Sequence, residues 1–521
     1  MRRTALCCVL TVGMLSLGLA AQESPYEETK EPTARNAIDA VLFSEWKQQH
    51  ITPARPCSDA VFVRRVHLDT IGTLPSADEV TAFLADQNPE KRRLLVDRLL
   101  LRPEFADYWA LKWGDLLRVK SEFPINLWPN AAQAYHRWIR TSIADAVPLD
   151  RFAKELLTAS GSNFKVPQVN FYRAMQDRSP ETIARTVALT FLAQRAERWP
   201  QERLAGLAGF FGQVGFKTTG EWKEEIVFFD PERPAGAAVF PDGTKPVLAQ
   251  DRDPRTVFAD WLLAPGNPCF AQGLANRMWS WLLGRGIVHE PDDFRTDNPP
   301  SQPRLLALLG KELVACGYDQ RKLFRTILGS ATYQLSALPR EQGAEVAALF
   351  ASYPLRRLEA EVLIDAIDKI CGTNESYTSA IPEPFTVVPP GVRSIALEDG
   401  SITSSFLELY GRPPRDTGLE SERGDRCTAG QRLHLLNSSH IQRKLEQGSR
   451  LRALFESRRA PKEILTSLYL TILSRPPTGS ELAIVQAHFQ AKAEGGFPAR
   501  RAAAVDVAWA LINSAEFLFR H

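Results

Sequence analysis

LDTIGTLPSADEV, from Leu68 to Val80, has a near twin close to the other end of the chain in LYLTILSRPPTGSEL, from Leu468 to Leu482. Each places a proline, then a hydroxyl residue, Ser76 or Thr478, then a glutamate three residues on, Glu79 or Glu481. That spacing is a capping box. The hydroxyl accepts from an early helical N–H while the glutamate returns to the N–H of the cap. Both stretches therefore predict a helix opening out of a turn, and similar helical hairpins near the two ends.

Outward from these hairpins the same period recurs. Val80, Phe83 and Leu84, then Leu306, Leu309 and Leu313, then Phe324, Ile327 and Leu328, and finally Val505, Ala508, Trp509 and Ile512 each form an apolar stripe at helical spacing. Stripes of this kind pack helix on helix, so the fold class expected is mainly α. The texture changes between 213 and 250, where Ile226–Phe229 and Ala237–Phe240 are short β-prone runs broken by Pro and Gly. A second Pro/Gly-rich loop runs from Ile381 to Gly400. The expected division is a signal peptide over 1–20, a helical domain over 33–212, a β-prone connector over 213–250 and a second helical domain over 251–521.

The first residues, MRRTALCCVLTVGMLSLGLAAQES, place Arg2 and Arg3 before an apolar run from Ala5 to Leu19 and small residues at Ala20 and Ala21. That is the layout of a secretory signal, with cleavage expected after Ala20. A membrane span needs about 20 apolar residues, and no later stretch looks long enough. The expected location is outside the cytoplasm, in the periplasm or cell envelope. Without Arg2 and Arg3 the chain has 61 basic residues against 61 acidic ones. Nucleic acid is not an expected partner, because binding it needs a basic face. Cys57, Cys269, Cys316, Cys371 and Cys427 are scattered and odd in number, so they spell no disulfide framework.

Several stretches invite a chemical reading. Ser-x-x-Lys occurs at Ser44–Lys47 and Ser162–Lys165 without the partner motifs of a serine acyl-enzyme. GLAGFFG, from Gly206 to Gly212, has the wrong spacing for a phosphate cradle and predicts close packing instead. Trp279 and Trp281 sit two apart and point to different helix faces, so they predict core wedges rather than one stacking shelf. His289, Asp292 and Asp293 form the candidate metal set, since imidazole and carboxylates suit zinc or calcium. The competing reading is a turn whose acids cap the next element. RPPRDTGLESERGDR, from Arg412 to Arg426, is the densest charge cluster. Arg412, Arg415, Glu420, Glu422 and Arg423 are its binding candidates, as an ion-pair network or an anion clamp, because a guanidinium binds carboxylate by two points and is no base near neutral pH.

VFVRRVHLDTIGTLPSADEVTAFL, RRLLVDRLLLRPEFADYWALKWGDLLR, the long run from Asp253 to Leu309, GRPPRDT and LINSAEFLF together resemble paired domains of unknown function from exported planctomycete and verrucomicrobial proteins. The first is a cytochrome-C-associated domain and the second its companion. In that group the first domain resembles a helix leading into C-x-x-C-H, and the Arg-Pro-Pro-Arg run leads into Cys-Glu-Cys-Glu-Arg. Here Gln194 and Arg195 run on to Arg198 and Trp199 without cysteines, and the second motif reads Leu419-Glu420-Ser421-Glu422-Arg423. Covalent c-type haem needs both thiols and the histidine, so no such attachment is expected and no cofactor is predicted. The resemblance implies that the two cysteine places meet in space as one metal or redox site, which this member has lost. Segments 195–198 and 419–423 should then lie within about 15 Å of each other. The function expected is an exported cell-envelope binding or assembly protein, with other exported envelope proteins as partners. The alternatives are a metal-assisted or acid/base hydrolase near His289, Asp292 and Asp293, and a redox protein with a non-covalent cofactor.

Overall fold

A computed structural model describes residues 24–249, 251–457, 459–491 and 496–521. The expected signal peptide lies outside these. Helices hold 53% of the described residues and strands 5%, which places the fold in the mainly α class.

The helix Asp59–Ile71 is the axle. Ser58 caps its start and Gly72, at φ +59°, ends it in the left-handed region. A Cβ there would lie 2.6 Å from the Tyr108 ring, so both the turn and the packing require glycine. Every residue from Val61 to Ile71 is buried, Arg64, Arg65, His67 and Asp69 included. A buried polar group needs a partner; His67 meets the Val63 carbonyl one turn back, whereas Arg64, Arg65 and Asp69 draw theirs from far along the chain. Arg64 donates to the carbonyls of Ile472 (2.8 Å) and Phe517 (2.9 Å). Arg65 donates to those of Tyr333 (2.6 Å), Leu335 (2.8 Å) and His521 (2.8 Å). Asp69 accepts from the hydroxyls of Tyr333 and Tyr353 and pairs with Arg356 (2.7 Å) and Arg520 (3.0 Å).

The helix Pro103–Leu116 lies against this axle and against the helix Pro129–Ala144. Its Trp109 and Trp113 receive Trp281 of the helix Pro268–Leu283, at ring separations of 5.4 and 5.9 Å. Trp279 faces the other way, against Phe350 at 5.1 Å. The two tryptophans are thus wedges on different faces, as their spacing predicts. The buried apolar side chains from Ile38 to Phe517 form one continuous cluster that both halves share.

Both capping boxes are present: Ser76 and Glu79 exchange bonds at 2.7 and 3.2 Å, and Thr478 and Glu481 at 2.7 and 3.3 Å. The two hairpins also touch, the helix Pro461–Ile472 lying against the helix Ala77–Ala85. The β excursion is smaller than expected. Val214–Thr218 pairs antiparallel with Glu225–Phe229, with Val214 opposite Phe229, and Gly161–Ser162 joins the far edge. Ala237–Phe240 is not a strand. It runs extended over the helix Gln201–Ala208, where Val239 N–H donates to the Gly206 carbonyl at 2.9 Å. The glycines of GLAGFFG admit it: a Cβ on Gly209 would sit 2.7 Å from Ala238 Cα. A second, two-stranded sheet pairs Arg356–Arg357 with Phe519–Arg520. Among the described residues no helix is long and apolar enough to cross a membrane.

Candidate functional site

The arginine-rich loop is drawn shut at its base, where the Gly424 N–H donates to the Gly411 carbonyl at 2.9 Å. Its arginines point inward. The helix Pro103–Leu116 presents Asp115 to them, and the first turn of the helix Ala360–Cys371 presents Glu361, where a carboxylate also suits the helix dipole. Asp115 takes Arg415 Nε at 2.8 Å and Arg423 Nη2 at 2.5 Å. Glu361 takes Arg423 Nη1 at 2.7 Å and Nη2 at 3.3 Å, with Arg412 Nε at 3.6 Å. Arg423 therefore clasps two acids from two helices, using the fork geometry that lysine lacks. Burial alone would raise the Asp115 carboxyl, but the Arg423 and Arg415 guanidiniums outweigh it and hold it below the ordinary carboxylate range.

The network extends along the same two helices. Glu359 pairs with Lys112, accepts from Tyr108 Oη at 3.0 Å and lies 3.7 Å from Arg520. Burial opposes its ionisation, yet Lys112, Arg520 and Arg423 hold it well below the usual range. Through Arg520 the chain of charges reaches Asp69 on the axle helix. Glu422 takes no part, accepting instead from the N–H and hydroxyl of nearby Thr417 at 2.7 and 2.6 Å.

Segments 195–198 and 419–423 do meet, and Asp292 joins them. A π-helical turn, Ala188–Leu192, ends at Ala193 in the left-handed region, and Arg277 donates to the carbonyls of Leu189 (3.2 Å) and Thr190 (3.0 Å). Beyond the turn, Arg195 Nη2 reaches Asp292 Oδ1 at 2.6 Å and also bonds Glu290. The other oxygen of Asp292 accepts the Glu420 N–H at 3.0 Å, and Glu420 accepts from Trp281 Nε1 at 3.2 Å. Burial pushes the Glu420 carboxyl up.

The metal reading of His289, Asp292 and Asp293 is corrected by this geometry. Asp292 is spent on Arg195 and the Glu420 N–H, while Asp293 faces Arg295 at 3.0 Å and Arg198 at 3.9 Å. His289 bonds neither, and burial together with Arg285 lowers its pKa. Among the described residues no three of His, Cys, Asp and Glu are placed to hold a metal ion. What sequence reasoning missed are the network's acids and cations outside the loop: Asp69, Lys112, Asp115, Glu359, Glu361 and Arg520. The signal was there as charges inside apolar runs, in LKWGD and LEAEVLIDAI. A network of this kind suits locking and positioning, since its acids are already paired with cations.

Fold and centre together define a mainly helical protein whose two halves are joined by a buried ion-pair network. Residues 37–205 match the family described as PSCyt2, protein of unknown function (DUF1549). Residues 254–489 match the one described as PSD1, protein of unknown function (DUF1553), and the chain belongs to the group that pairs these two domains in this order. Neither the curated proteins nor the solved structures contain a match to this chain.

Proposed function

We propose that the protein is an exported cell-envelope binding or assembly component. The observation that carries this is Arg423, which ties Asp115, within the PSCyt2 match, to Glu361, within the PSD1 match. Charges arranged in this way hold two modules in one fixed relation, which is what a presenting scaffold requires. Arginine is always protonated and acts as neither acid nor base. Export rests on the three-part layout of residues 1–21.

The test is to purify the mature protein from its native envelope and record a visible spectrum with elemental analysis, followed by cross-linking in intact cells. A colourless, metal-free protein in the extracytoplasmic fraction, cross-linked into a larger assembly, is the expected result. A stoichiometric haem band or bound iron or zinc would overturn the scaffold reading.

A further inference from the structure

A cavity of about 500 Å³ opens where the helix Ala360–Cys371 ends, between Thr73, Glu104, the 391–393 loop and Ser449–Arg450. It falls within the ~300–1,000 Å³ usual for small-molecule sites. Four carboxylates and three cations line it, and the two kinds of charge are not equally satisfied.

Each acid is already engaged. Asp368 takes Lys444 at 2.6 Å and Thr373 at 2.5 Å, and Glu375 takes His440 at 2.8 Å and Lys444 at 3.3 Å. Glu104 takes Arg102 at 2.5 Å. Asp365 accepts the N–H groups of Ser394 (2.7 Å) and Ile395 (3.2 Å), with burial pushing it up to about 6.

The cations are left with few protein acceptors. Among the described residues Lys369 donates only to the Leu74 carbonyl at 2.5 Å, and Arg450, itself exposed, only to the Lys369 carbonyl at 2.9 Å. Arg393 has Asp365 at 3.5 Å, and its Nη2 is buried without a partner. Burial first, then the neighbouring Arg393, Arg102 and Arg450, lowers Lys369 to about 8 against the pull of Glu79. Crowded cations with spare N–H groups around an open volume call for an acceptor-rich anion.

We propose that this cavity binds a small polar molecule through a tetrahedral oxyanion, a phosphate or sulfate group, held by Lys369, Arg393 and Arg450. The volume exceeds that of the bare ion, so the oxyanion is carried on a body that meets Thr73, Asn374 and Ser449. The inference stands apart from the scaffold reading and survives its failure.

The test is titration calorimetry of the full mature chain with inorganic phosphate and with inorganic sulfate, at constant ionic strength set with chloride. Saturable one-site binding is expected, weakened at least tenfold in both Arg450→Gln and Lys369→Gln, with thermal melts checking that each variant folds. Arg35→Gln, in a separate cavity lined by Lys30, Lys91, Arg92 and Arg325, should bind like the parent. Preference for one ion separates a phosphate ester from a sulfate ester as the natural ligand. No saturable binding to the parent, or binding unchanged in folded Arg450→Gln and Lys369→Gln, would overturn the proposal.

Discussion

Arg423 shows how a charge cluster in sequence becomes a joint. Removing one partner of a buried pair costs about 3–5 kcal/mol, because the other charge is left without water or counter-ion. Arg423→Met should lose about that amount in urea unfolding, since Asp115 is left with Arg415 alone and Glu361 with the more distant Arg412. Asp115 also sets a pH dependence. Its pKa in the folded state is depressed, so its contribution is complete above about pH 4 and is lost as pH falls through the lower folded value. Asp115→Asn should flatten the acid limb of a Tm-against-pH curve. The cluster from Arg412 to Arg426 was legible as an ion-pair network. Its acidic partners were not, because Asp115 lies 300 residues from Arg415 in a stretch read only for its family resemblance. Reactivity at sulfur follows burial in the same way. Cys427 is exposed whereas Cys57 and Cys371 are buried, with burial pushing the Cys371 thiol up to about 12. Alkylation of the native protein followed by mass mapping should label Cys427 first and reach Cys57 and Cys371 only on unfolding.

At the scale of elements, legibility tracked how local the chemistry was. The capping boxes at Ser76 and Thr478 span three residues and read directly. Ser76→Ala should cost about 1 kcal/mol in the same unfolding measurement. The run Ala237–Phe240 misled because β-propensity registers only a fit to a half-buried surface. The surface it found was a glycine-lined helix rather than a neighbouring strand. Gly209→Ala tests that contact. A Cβ there meets the Ala238 backbone, N as well as Cα, so the segment must lift, at a cost of about 1–3 kcal/mol. The metal reading of His289, Asp292 and Asp293 failed for a related reason. Residue types suited to zinc or calcium are equally suited to arginine, and only the fold shows that Arg195, Arg198 and Arg295 arrive first.

Across the whole molecule, the two halves expected from sequence share one core and one set of charges, so they should unfold together. Near-UV and far-UV circular dichroism should give coincident denaturation curves, and two separated transitions would contradict the shared core. The axle helix explains why. Arg64, Arg65 and Asp69 find partners at Phe517, His521 and Arg520, separated from them by 453, 456 and 451 residues. At roughly 5–20 residues per second of synthesis, that separation is about half a minute to a minute and a half. Throughout that interval the axle helix has only the partners made in between, Tyr333, Leu335, Tyr353, Arg356 and Ile472, and lacks those from Phe517 onward. Residues 517–521 therefore act as a late clasp on the axle helix. A chain released before residue 517 leaves Arg64, Arg65 and Asp69 each short of a partner, and the cell's quality control meets it as an unfinished protein.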